Sequence, residues 1–222
     1  MKVEKLTRHQ IAKVVANDIP NGSYVNLGIG IPTLIAAFLP PGRDIILHTE
    51  NGIVGMGPGV PGAPVDPDLI NASKEPVTLM VGSSITDHVV SFAMMRGGHL
   101  DLAVLGGYQV SAQGDLANWS TGEPGTIPAV GGAMDLAVGD HQIFVTMEHT
   151  TKTGKPKIVE KCTYPLTGVG VVDRIYTDLA ILDVQPGNML VRAMVAGLTL
   201  NDLQSVTECP LTLANDSYVL RP

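Results

Sequence analysis

The chain has 222 residues, 45% of them hydrophobic, with a mean hydropathy of +0.23, which is enough apolar material for a sizeable core. A formal charge of −7, with 14 Lys and Arg against 21 Asp and Glu and no basic run, argues against nucleic acid or an anionic membrane as partner and points to a small ligand. Cys162 and Cys209 lack CxxC spacing, no basic leader precedes an apolar stretch, and no run approaches the roughly 18–20 apolar residues of a bilayer span, so a single cytoplasmic domain over 1–222 with no membrane association is expected.

Thr7 is a candidate N-cap for a helix over 7–19 that puts Ile11, Val14, Val15 and Ile19 on one stripe. A strand over 24–27 follows, then a glycine turn and a helix over 32–39 that begins with Pro32 at its first position. Further strand-sized apolar runs lie at 44–48, 77–81, 100–105, 142–147, 169–172 and 179–183, several of them rich in Val and Ile, as in strands buried on both faces. A helix over 86–96 carries Val89, Val90, Ala93 and Met94. This alternation predicts an α/β fold with an open, largely parallel sheet and flanking helices. From about Tyr108 to Thr177, turns such as Gln113-Gly114-Asp115 and Thr153-Gly154-Lys155 become frequent, so the second half is expected to be β-rich. Residues 57–68, where Pro58, Pro61, Pro64 and Pro67 alternate with glycine and small residues, read as an ordered surface loop. A short helix over 199–206 is expected near the end, with the last dozen residues frayed.

Two turns carry candidate chemistry. The stretch NLGIGIPT (26–33) places Gly28-x-Gly30 between a strand and a helix, and Glu50 lies 20 residues beyond Gly30, as a ribose-binding acid would in a dinucleotide site. Thr33 replaces the third glycine of that fingerprint, however, and Pro32 alters the helix entry. Gly28 and Gly30 therefore serve either a tight turn alone or a turn that brings backbone N–H groups to a ligand oxygen.

The second stretch, LHTENGIVGMGP (47–58), sets Glu50-Asn51-Gly52 before an apolar, glycine-spaced wall. A poorly solvated carboxylate there is either a raised-pKa acid or a reactive nucleophile, with Asn51 as a donor and Gly52 allowing close approach. The alternative is a Glu that caps a turn. A third stretch, AVGGAMDLA (129–137) after Pro128, suits the approach of an extended ligand to Gly131 and Gly132, with Met134 as an adaptable contact.

Arg96 and His99 are candidates for a carboxylate, or for a structural ion pair with Asp101 or another acid, and Trp119 reads as packing. The six histidines show no i,i+4 pair, and no GxSxG, Walker A or HExxH motif is present, so no metal site is expected.

Taken together, Asn26-Leu-Gly-Ile-Gly-Ile-Pro-Thr33, Glu50-Asn-Gly52, Gly55-x-Gly57-Pro58, Ser91-Phe-Ala-Met-Met-Arg-Gly-Gly-His99, Gly114-Asp-Leu-Ala-Asn-Trp119, Gly131-Gly-Ala-Met-Asp-Leu136 and Arg174-Ile-Tyr-Thr-Asp178 resemble, in this order, the B (β) subunits of 3-oxoacid and 3-oxoadipate coenzyme A transferases. The resemblance runs from about Leu6 to Asp183. It implies that Glu50 is the nucleophile, forming a glutamyl-CoA thioester in a ping-pong reaction that moves coenzyme A from an acyl-CoA, such as succinyl-CoA, to acetoacetate or 3-oxoadipate.

By the same resemblance Asn26, Gly28, Gly30, Asn51 and Gly52 form the pocket around the nucleophile, and Gly131, Gly132, Ala133 and Met134 face coenzyme A. Coenzyme A is then substrate and covalent intermediate, with no permanently bound cofactor. The partner implied is the A (α) subunit of the transferase, in an α2β2 heterotetramer. At 82–90 this chain reads GSSITDHVV where many relatives carry a Phe-Phe pair, and the choice of acid does not follow from the sequence. Two other readings remain: a nicotinamide-dependent oxidoreductase using Gly28 and Gly30, and a noncatalytic partner chain of the same fold.

Overall fold

The computed structural model describes residues 3–59, 62, 66–123 and 129–221; Pro61, Pro64 and Pro128 lie outside them. Thr7 caps α1 (Arg8–Asp18) through a reciprocal box, its hydroxyl accepting from the Gln10 N–H and the Gln10 side chain accepting from the Thr7 N–H at 2.7 Å. Ile11, Val15 and Ile19 are buried as the spacing predicts, joined by Ala12 and Ala16, while Val14 is only half-buried.

After β1 (Tyr24–Leu27) the expected helix is a 3₁₀ segment, Pro32–Phe38, whose Leu34 N–H donates to Ile31 O at 3.1 Å. With Pro40 and Pro41 ending the run, too few residues remain to propagate i→i−4 bonds, and the turn tightens. The chain continues through β2 (Ile46–His48), β3 (Ile53–Gly57), β4 (Thr78–Ile85), α2 (His88–Arg96), capped by Asp87, and β5 (Leu102–Gly106). Then come β6 (Gln109–Ser111), β7 (Leu116–Ala117), α3 (Ala133–Leu136), β8 (Gln142–Thr146), β9 (Ile158–Val159) and β10 (Arg174–Tyr176). The last elements are β11 (Ala180–Gln185), β12 (Asn188–Val195), α4 (Leu200–Gln204) and β13 (Leu211–Leu220).

Among the described residues ten strands form one sheet in the order β13-β12-β11-β10-β8-β5-β1-β2-β3-β4, and β7-β6-β9 form a second, small sheet. The expected parallel sheet is the central block β10-β8-β5-β1-β2, all of whose neighbours run parallel. Val25, Leu47, Val104, Ile143, Val145 and Ile175 on these strands are buried to 1% exposure or less, which accounts for the unbroken apolar runs. Antiparallel strands extend both flanks, β3 and β4 on one side and β11 and β12 on the other.

Two expectations fail. Residues 169–172 are not a strand: Gly168 and Gly170 (φ +62°) break the run, and the N–H groups of Val171 and Val172 both fold onto Gly114 O at 3.0 Å. Residues 211–220 are not frayed either, because β13 pairs in parallel with β12, buries Ala214 and Leu220, and forms one edge of the sheet. At the opposite edge, β4 exposes Met80, Val81 and Ile85, with Val89 of α2 also exposed.

Charge clamps the β-rich flank. Asp183 accepts from Arg174 Nε, its cross-strand partner, at 2.5 Å and from Arg192 Nε at 2.6 Å, while Tyr176 Oη donates to Asp18 of α1 at 2.9 Å. Partial burial alone would raise the Asp183 pKa, but the two guanidinium hydrogen bonds override it and hold the carboxyl below its ordinary value of 3.8. A depressed pKa stabilises the fold above the unfolded value, and that contribution disappears as pH falls through the folded one. Asp183→Asn is expected to cost about 1–2 kcal/mol at pH 7, discounted for partial exposure, and to leave a variant with a weaker loss of stability below pH 4; thermal unfolding at pH 7 and at pH 3 checks both.

Candidate active site

The parallel block has a topological break at β1, which has β2 on one side and β5 on the other. Ligands in open α/β sheets bind beyond the carboxyl ends of strands at such a break. A cavity of about 460 Å³ lies there, lined by residues that follow β1 (Gly28, Gly30), β2 (Glu50), β5 (Gly107) and β8 (Glu148), and by Gly131 and Gly132.

Glu50 stands on the turn that joins β2 to β3. The turn closes with the Gly52 N–H donating to Thr49 O at 3.0 Å, and the Thr49 N–H donating to Ile53 O at 2.9 Å. Gly52 adopts φ +115° and packs on the Thr86 carbonyl so tightly that a Cβ would overlap it, so only glycine fits. The Asn51 side chain accepts from the Thr49 hydroxyl and donates to Ile70 O at 2.8 Å, fixing the turn from outside.

Beneath the turn lies a buried polar chain. Asn26 Nδ2 donates to His48 Nδ1 at 3.0 Å, which leaves Nε2–H to donate to Ser91 Oγ at 3.0 Å, and Ser91 donates to Thr49 O at 3.3 Å. Burial lowers the His48 pKa to about 4, so the ring is neutral near pH 7 and this donor order is the stable one.

The Glu50 carboxylate accepts no hydrogen bond from any described residue. Desolvation raises its pKa above the ordinary 4.5; charge on His88 opposes the rise and Asp135 adds to it. At Gly132 an added Cβ would overlap the Glu50 Oε2, and Phe92 lies 3.3 Å from that Cβ position. Arg96 of α2 binds Asp135 of α3 at 2.5 Å and thereby holds the Gly132 segment against Glu50.

The structure thus brings Glu50, Asn26, Gly28, Gly30, Gly131, Gly132 and Ala133 around one cavity. Asn51 and Gly52 shape the turn without lining it, and Met134 stands outside, 49% exposed. The Gly28 N–H is already used, donating to Val104 O at 2.8 Å, whereas the N–H groups of Ile29, Gly30, Gly131 and Gly132 have no protein acceptor among the described residues and remain available to a ligand.

Arg96 pairs with Asp135 and not with Asp101, which accepts from the Tyr24 N–H. Trp119 packs in the cavity wall and donates to Leu166 O. The support roles of His48 and Ser91 escaped the sequence reading; the one available signal was a single imidazole inside the apolar run IILH. Burial pushes the thiols up, Cys162 to about 11 and Cys209 to about 12. Among the described residues no cluster of side chains could hold a metal ion and no helix is long and apolar enough to cross a membrane. The dinucleotide reading loses its helix N-terminus, since a 3₁₀ segment led by Pro32 follows Gly30.

Comparison with known proteins defines the class. The profile of the coenzyme A transferase family matches residues 8–203, and the chain belongs to that family. It is an α/β coenzyme A transferase. It is 57% identical over 211 residues to the B subunit of the 3-oxoadipate CoA-transferase of Acinetobacter baylyi, covering 95% of this chain and 97% of that one. It is 45% identical to the B subunit of a probable succinyl-CoA:3-ketoacid coenzyme A transferase of Bacillus subtilis, over 95% and 97% of the two chains. The fold also matches an acyl-CoA transferase apoenzyme of Escherichia coli O157:H7, with a TM-score of 0.76 over all of this chain and 44% of that one, at 18% identity.

The Gly132 contact yields a direct test. Gly132→Ala, at an ordinary negative φ (−78°), should fold normally yet displace the Glu50 carboxyl, lowering transfer roughly 100-fold; unchanged turnover would remove the contact from the site's geometry.

Proposed function

We propose that this chain is the catalytic B subunit of a 3-oxoacid CoA transferase, moving coenzyme A from an acyl-CoA such as succinyl-CoA to a 3-oxoacid such as 3-oxoadipate or acetoacetate through a thioester on Glu50. The observation that carries the reading is a carboxylate without hydrogen bonds among the described residues, poorly solvated, on a rigid turn at the cavity. The names of the relatives at 57% and 45% identity supply the substrate class.

The chemistry requires no external acid or base. A Glu50 oxygen attacks the thioester carbonyl; the C–O bond forms, the C–S bond breaks, and CoA thiolate leaves with the electron pair, giving a mixed anhydride. The thiolate then attacks the Glu50 carbonyl carbon, forming C–S and expelling the first acid as its carboxylate. An incoming carboxylate reverses both steps and departs as its CoA ester, so kinetics are ping-pong. Each tetrahedral intermediate places negative charge on oxygen, for which the free N–H groups of Gly30, Gly131 and Gly132 are the candidate donors. The segment Gly131–Ala133 contacts coenzyme A in this reading, and Met134 touches only its outer portion.

Water would destroy both the anhydride and the thioester, so the site must close. The α subunit supplies that closure, and the exposed apolar edge of β4 with Val89 of α2 is the surface it covers, in an α2β2 assembly. The intact Glu50 turn favours a catalytic chain over a noncatalytic one.

Mass spectrometry of the complex with the α subunit, incubated with succinyl-CoA in the absence of acceptor acid, tests the reading. A CoA adduct on Glu50, discharged by adding a carboxylic acid and absent from Glu50→Gln together with roughly a thousandfold or greater loss of transfer, is the expected result. Turnover retained in Glu50→Gln would sink it. Because Glu50 attacks as the anion and its pKa is raised, kcat/KM for acyl-CoA should fall on an acid limb lying above pH 4.5. A limb at or below that value would place the nucleophile in a better-solvated setting than this cavity.

A further inference from the structure

Among the described residues three charged side chains line the cavity: Glu50 at one end, and Arg8 and Glu148 at the other. Glu50 follows β2 and Glu148 follows β8, three strand spacings apart in the order β8-β5-β1-β2, so the two strand ends stand about 14 Å from each other at roughly 4.8 Å per spacing. Long side chains at both ends reduce that gap to one that a short, extended dicarboxylic acid spans.

The far end carries surplus positive charge. Arg8 Nη2 binds Glu148 Oε1 at 2.7 Å and Nε binds the same oxygen at 3.0 Å, while Lys157 Nζ stands 4.0 Å from Glu148 Oε2 and donates to Gly107 O at 3.0 Å. Two cations thus face one carboxylate. The neighbouring Lys5–Asp178 pair is internally balanced at 2.8 Å and leaves that excess intact. Arg8 Nη1 has no partner among the described residues, and the side chain is 66% exposed, so half of its fork remains free for a planar anion.

A second observation lies at the end of β8. Thr146, the last residue of β8 and two before Glu148, also lines the cavity; it is 2% exposed, and its hydroxyl has no hydrogen-bond partner among the described residues. A buried hydroxyl without an acceptor is a cost that an anionic ligand group at this end would remove.

We propose that Arg8, held in position by Glu148, binds the distal carboxylate of a dicarboxylic acyl group while the reacting carboxyl sits at Glu50, so that this pair sets the preference for dicarboxylic over monocarboxylic acids. The proposal rests on the transferase reading above. It assigns the acid specificity to this chain, at the opposite end of the cavity from the nucleophile. Lysine in place of Arg8 retains charge but not the fork, and keeps only part of the preference.

The test uses the complex with the α subunit, with acetoacetyl-CoA as donor and two acceptors of equal length, 3-oxoadipate and 3-oxohexanoate, which differ only in the distal carboxylate. The ratio of kcat/KM for 3-oxoadipate to that for 3-oxohexanoate should fall at least tenfold in Arg8→Gln and less in Arg8→Lys. Glu148→Gln, whose amide oxygen can still accept from Arg8 and keep it in place while no longer neutralising its charge, should hold or increase the ratio. Thermal unfolding of each variant separates loss of fold from loss of selectivity. An unchanged ratio overturns the proposal. So does a proportional drop for both acids accompanied by a raised KM for the donor, which would assign Arg8 to coenzyme A. Wild-type complex that transfers to neither acid defeats the transferase reading itself, a different outcome from loss of selectivity in the variants.

Discussion

The Glu50 carboxyl rests against a residue with no side chain, and most of the molecule's organisation can be traced to that contact. Gly132 admits the carboxyl only if two distant segments arrive together: the β2–β3 turn from the early, parallel part of the chain and the start of α3 from beyond β7. The Arg96–Asp135 pair joins α2 to α3, and the Gly52–Thr86 contact joins the turn to the residues just before α2, so each side of Glu50 is anchored to the same short helix. For Glu50 in its proposed role as nucleophile, a misplacement of 1 Å would lose about two orders of magnitude in rate, which sets how stiff these anchors would have to be.

Stiffness here comes from hydrogen bonds that are buried and fully used. The chain from Asn26 through His48 and Ser91 to Thr49 O runs beneath the turn with each donor matched to an acceptor, and the imidazole stays neutral because burial disfavours its cation. The turn therefore keeps one geometry, while the carboxylate above it has no hydrogen-bond donor among the described residues. Polar groups that support the turn are satisfied, and the carboxyl proposed as nucleophile is left open.

Much of this was legible in the sequence. The Val- and Ile-rich runs gave the central strands because strands buried on both faces need no alternation, and Thr7, Pro32 and Thr199 marked the starts of their segments correctly. The flanking strands were harder. β12 alternates buried and half-buried residues with Arg192 inside it, and β13 exposes Leu213, Tyr218 and Val219, so neither shows a continuous apolar run. At the site, Glu50 and the glycines stood out through local spacing, and the resemblance to a family gave them roles. Arg8, Glu148, His48 and Ser91 could not be found that way, because their meeting depends on strand order: 140 residues separate Arg8 from Glu148, and 43 separate His48 from Ser91.

The two cysteines bear on a hazard peculiar to the chemistry proposed for Glu50. An activated acyl group or a glutamyl thioester is open to any thiolate within reach, and capture by the protein's own sulfur would strand the enzyme as a stable self-acylated species. With Cys162 at about 11 and Cys209 at about 12, both sulfurs remain thiols at neutral pH, and Cys209 spends its hydrogen on Val159 O at 3.0 Å. In the proposed reaction, coenzyme A therefore meets no competing thiolate from either cysteine of this chain.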